Sequence, residues 1–63
     1  MNYSEPYFKK GDLVHVLSNY KEIIVATGIY MGLDFHEMNV KVLVDNSNIK
    51  EFDLTFYYLE KLN

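Results

Sequence analysis

Cysteine, arginine and tryptophan are missing from this 63-residue chain, proline occurs once and glycine three times. Without cysteine no disulfide can form and no thiolate can hold a metal. His15 and His36 lie far apart in the sequence, and neither sits at a metal-ligand spacing. No metal site and no cofactor are therefore expected. A domain this short buries only about 60% of the surface its unfolded chain exposes. Small domains usually compensate with disulfides, metals or oligomerisation. Here, dense packing and self-association are left.

The absence of arginine also bears on partners. Arginine is the main reader of guanine edges, and clustered Lys and Arg supply most of the affinity for phosphates. Six lysines face nine carboxylates, for a net charge of −3. The one basic cluster, Lys9-Lys10, is followed closely by Asp12. Duplex nucleic acid is therefore not an expected partner. No apolar run approaches the roughly 20 residues of a membrane-spanning helix. The segment from Met1 to Pro6 lacks the basic and apolar regions of a secretory signal. The expectation is a cytoplasmic protein with no membrane partner.

What the chain does have is apolar material: 49% of its residues are hydrophobic and 16% aromatic. Its pattern is that of short strands. Residues 1–7 read as an N-terminal tail and 8–63 as a single domain. Gly11-Asp12 makes a turn before Leu13–Leu17, in which Val14 and Val16 alternate with His15. Ser18–Glu22 is a polar break. Ile23–Met31 is a β-branched, nearly continuous apolar strand, in which Gly28 suggests a bulge or bend. Gly32–Glu37 reads as a loop with Phe35 at its tip.

Met38, Val40, Val42 and Val44 alternate with Asn39, Lys41, Leu43 and Asp45 to form the clearest strand. Asp45–Asn48 is a turn signal, so Ile49–Asp53 should pair back as a hairpin. Leu54–Tyr57 is expected to make one short helical turn, N-capped by Asp53. Tyr58–Leu62 would be the closing strand. The fold class is all-β, with five strands.

The residues now resemble a known group. Lys10-Gly11-Asp12-Leu13-Val14-His15-Val16 is similar to the "KxGDxVxV" opening of small SH3-like β-barrel proteins of bacteria and tailed bacteriophages. Gly28–Gly32 resembles their second strand, and Val40–Asp45 with Ile49-Lys50 their central hairpin. Leu54-Thr55-Phe56-Tyr57-Tyr58-Leu59-Glu60 resembles their "LSYLE" ending. The resemblance spans roughly residues 8 to 62. It implies a small five-stranded SH3-like barrel with a helical turn before the last strand. It also implies a phage-encoded protein of the host cytoplasm or the virion. Eukaryotic SH3 domains share "FKKGD" phrases but carry a tryptophan pair and an "ALYDY" segment, both missing here. The KOW motif of transcription and ribosomal factors begins similarly, but its basic, glycine-rich turn is absent from Ser18–Glu22.

Catalytic residues are not apparent. Ser4, Ser18 and Ser47 lie in the tail or in turns, outside any nucleophile-elbow context. His36-Glu37 reads as a solvated loop pair, because nothing beside it shapes a pocket. The chain is expected not to be an enzyme.

The apolar surplus is more informative. A barrel of this size needs about a dozen inward side chains. Val14, Val16, Val25, Ile29, Met31, Val40, Val42, Val44, Phe52, Leu54 and Leu59 nearly supply them. Tyr3, Tyr7, Phe8, Tyr20, Tyr30, Phe35, Leu43, Phe56, Tyr57 and Tyr58 are left over. Some can fold over the barrel ends, but tyrosine and phenylalanine are also enriched in interface cores. Tyr20, Tyr30, Phe35 and Tyr57 are the candidate partner-binding residues, with Tyr30 outward on its strand and close to Tyr57. The expected function is a protein-interaction or assembly module. Its partner would be another copy of itself or a phage or host protein, making it a minor virion subunit or an inhibitor of a host or defence protein. The alternative is a KOW-like nucleic-acid-binding regulator of transcription or translation.

Overall fold

The alternation of Val14 and Val16 with His15 sets the first element, β1 (Leu13–Ser18), in a computed structural model that describes residues 8–45 and 47–62. The proposed tail, with Tyr3 and Tyr7, lies outside the described residues. The remaining strands are β2 (Ile24–Asp34), β3 (Asn39–Leu43), β4 (Ile49–Asp53) and β5 (Tyr57–Lys61). They form one antiparallel sheet in the order β4-β3-β2-β1-β5. The first four strands make a meander, and β5 returns to pair with β1, Val16 standing opposite Leu59. No backbone ladder joins the two edge strands, β4 and β5, so the sheet is not closed by hydrogen bonds.

Each turn is held by the short polar side chains that mark it in the sequence. Asp12 accepts from the Lys9 amide at 2.8 Å, and Gly11 donates to the Tyr30 carbonyl at 2.9 Å with a φ of 104°. Asp34 accepts from the backbone of His36 and Glu37, closing the β2–β3 turn. Val44 donates to the Asn48 carbonyl at the β3–β4 hairpin, where the Asn48 amide also bonds Asp45.

The stretch after Asp53 departs from expectation. Asp53 does accept from the Thr55 amide at 2.8 Å, as an N-cap would. However, Leu54–Phe56 forms a single hydrogen-bonded turn closed by Phe56 N–H to the Asp53 carbonyl, and no helix follows. The reason is immediate: Tyr57 already pairs with Ser18, so β-ladder bonds take the backbone groups a helix would need. The turn is also clamped from outside. Asn19 donates its backbone N–H to the Phe56 carbonyl and its side-chain amide to the Thr55 carbonyl, both at 2.9 Å.

The core consists of Val14, Val16, Tyr30, Val40 and Val42, with Phe8, Ala26, Leu33, Val44, Phe52, Leu54, Tyr57 and Leu59 packed around it. Val14, Val16 and Val42 are fully buried, each a side chain whose burial contributes about 1.5–3 kcal/mol. In β2 the expected inward set, Val25, Ile29 and Met31, is corrected. Gly28 and Tyr30 are buried instead, Ala26 is half-buried and Val25 is exposed. Two irregularities explain this. Val25 is an extra residue between the Leu17–Ile24 and Val16–Ala26 pairs, and Met31 is extra between Tyr30–Val42 and Gly32–Lys41. Gly32, with a φ of 141°, completes the second bulge.

The bulge expected at Gly28 is therefore elsewhere. Gly28 is needed for close approach: a Cβ there would collide with the Leu43 carbonyl and press on Val42. Met38, put on the face of Val40 by the alternation, is exposed and has a φ of 56°, because β3 starts only at Asn39.

Candidate binding site

Between the inner face of the sheet and the β4–β5 turn lies an apolar cleft of about 360 Å³. Phe8, Tyr30, Val40, Leu54, Tyr57, Tyr58 and Leu59 line it. Tyr30 is only 2% exposed and forms part of the floor, its ring 5.5 Å from that of Phe8. Tyr57 stands at the end of β5, turned against Phe52 with ring centroids 5.3 Å apart and planes at 75°. It also borders a second, more polar depression beside Val25, Thr27, Asp45, Asn48 and Lys50.

Tyr30 and Tyr57 both line the cleft, and the orientation expected for Tyr30 is corrected. It points inward, because Gly28 and Tyr30 share the core phase of β2, and it is not an outward contact residue. Tyr20 and Phe35 are highly exposed but stand outside the cleft. Tyr20 stacks on Phe56 with ring centroids 6.4 Å apart. Phe35 sits in the β2–β3 turn. Phe8 and Tyr58, counted in the sequence only as surplus apolar residues, are walls of the cleft. Val40, Leu54 and Leu59 were assigned wholly to the core, and their role in shaping the cleft carries no local sequence signal.

The chemistry of this lining is restricted. Among the described residues it contains no lysine, histidine or carboxylate, and the side-chain polar atoms there are the hydroxyls of Tyr30, Tyr57 and Tyr58. The Tyr58 phenol titrates above its ordinary value of 10.0, first through desolvation and then through the negative charges of Glu22 and Glu60. It therefore keeps its proton at neutral pH and remains a donor. Among the described residues no group of three or more His, Asp or Glu side chains converges as a metal site would require. No described helix is long and apolar enough to cross a membrane. His36 and Glu37 sit exposed in a turn built on Asp34.

No known protein family, characterised protein or solved structure matches the chain.

Proposed function

We propose that this chain is a small SH3-like barrel acting as a protein-interaction or assembly module, with the aromatic cleft receiving an apolar segment of a partner protein. The barrel reading is supported by the strand order, by the return of β5 to β1, and by two bulges that bend β2. The Phe52–Tyr57 contact draws the two open edges together. In the setting that the resemblance implies, such a module would be a minor virion subunit or an early protein that blocks a host factor.

The observation carrying the function is the make-up of the cleft. Its volume lies at the lower end of the roughly 300–1,000 Å³ typical of ligand pockets, enough for one or two large side chains. Its walls are apolar and aromatic, and the charges felt at its rim through Tyr58 are negative. Phosphate would meet no cation among the described lining residues. An apolar anchor flanked by lysine or arginine suits it best.

Selection from a random-peptide display library against the whole chain tests this reading. Enriched peptides should carry a hydrophobic anchor beside basic residues, and Tyr58→Ala should weaken them by about 2 kcal/mol. Their affinity should fall only modestly with added salt, far less steeply than phosphate binding does. Failure to enrich any peptide, together with tight single-stranded nucleic-acid binding that falls steeply with salt, would replace it with the KOW-like regulator.

A further inference from the structure

The depression beside the β3–β4 hairpin holds about 440 Å³ and differs from the cleft in carrying charge, that of Lys50 and Asp45. Lys50 owes its place there to the register. It pairs with Val42, as Phe52 pairs with Val40, and directly paired residues share a face of the sheet. Val42 is fully buried, so Lys50 is a cation on the core-facing side of an edge strand. Its side chain is exposed, and among the described residues no carboxylate pairs with it; the ion pair found there joins Lys61 and Asp12 at 3.6 Å. Asp45 is already engaged, one oxygen accepting from the Asn48 side-chain amide at 3.1 Å.

We infer that this depression is a subsite for one carboxylate side chain of the segment that fills the cleft, with the Lys50 ammonium as its partner. The inference rests on the peptide-binding reading of the cleft and adds a direction to it. Tyr57 borders both hollows, so a segment that leaves the cleft over this ring enters the depression that Lys50 lines. Residues i and i+2 of an extended segment point the same way and stand about 7 Å apart, enough to place one on each side of a single ring. The apolar anchor and the acid are therefore two residues apart. The short stem of a glutamate or aspartate finds Val44 and Phe52 in the lining, and its carboxylate finds the ammonium. Asp45 limits the site to one acid, because a run of carboxylates or a phosphate backbone would be repelled by it. A cation on the inner side of an edge strand also discourages strand addition, but that role alone would leave peptide affinity indifferent to Lys50.

Two end-blocked synthetic peptides test the inference, each with a lysine, a leucine and, two residues after the leucine, either glutamate or glutamine. Amide chemical shifts of the native chain, followed through each titration, give both affinities. The glutamate peptide should bind about threefold more tightly, as a solvent-exposed ion pair allows, and the advantage should shrink with added salt. Lys50→Gln should abolish the advantage and leave the affinity for the glutamine peptide unchanged, and Lys50→Glu should reverse it. Melting temperatures of the two variants, measured alongside, show that each is folded. Equal affinities on the native chain, or a glutamate advantage that survives Lys50→Gln, overturn the inference and leave the cleft reading standing. Binding of neither peptide overturns both.

Discussion

Phe52 of β4 meets Tyr57 of β5 edge to face, and this ring contact joins two edge strands that share no backbone ladder. Its strength is measurable in a double-mutant cycle of Phe52→Leu and Tyr57→Leu. Aromatic pairs of this geometry contribute about 0.5–1.5 kcal/mol beyond the area they bury. Chemical denaturation of the four proteins should return a coupling energy in that range. A coupling near zero would mean that the edges are held by the turn alone.

The phase of β3 predicts opposite outcomes at adjacent positions. Val42→Asp places an uncompensated charge in a fully buried site and should unfold the domain. Lys41→Asp, exposed and facing Glu51 across the strands, should cost less than about 1 kcal/mol. Circular dichroism melts of the two variants decide the matter.

At Gly28 the backbone of β3 comes too close for any side chain. Gly28→Ala should destabilise by about 1–3 kcal/mol, the usual cost of overpacking, although alanine normally suits a strand no worse than glycine. An urea midpoint unchanged from the native chain would show that β2 and β3 can separate freely at that point.

The Tyr58 phenol should titrate above 10.0, and Glu22→Gln with Glu60→Gln should bring it back toward that value. Its ring NMR signals followed against pH provide the measurement. The folded chain holds this proton more tightly than the unfolded chain does. The associated stability is therefore present below pH 10 and is lost as pH rises through the folded-state value.

Legibility in the sequence followed the range of the interaction. β4 is found between the bounds expected from its turn signals, Ile49 and Asp53, because Asp45 and Asn48 act on their immediate neighbours. Val40 and Val42 alternate with the polar Asn39 and Lys41, which fixes their face. β2 had no such marker: from Ile23 to Met31 nearly every residue is apolar, so either phase satisfied the pattern, and the choice fell to the extra residues Val25 and Met31. Tyr30 was misoriented for that reason. The helical turn at Leu54 failed because its competitor, the Tyr57–Ser18 pair, lies far away in sequence. Likewise, the cleft draws residues from several strands, and only the register assembles them.

The pairing of β5 with β1 has a kinetic consequence. Each hairpin of the meander forms between neighbours, but Val14 must find Lys61 across nearly the whole chain. The Asn19 clamp on Thr55 likewise closes a span of 36 residues. Loop-closure entropy must be overcome before either contact contributes, and such non-local topologies fold in milliseconds to seconds rather than microseconds. During synthesis, β1 to β4 can leave the ribosome and stand as an incomplete sheet. Val14 and Val16 lack their β5 neighbours until Leu59 and Lys61 have been made, so the sheet is completed only when β5 can pair back onto β1.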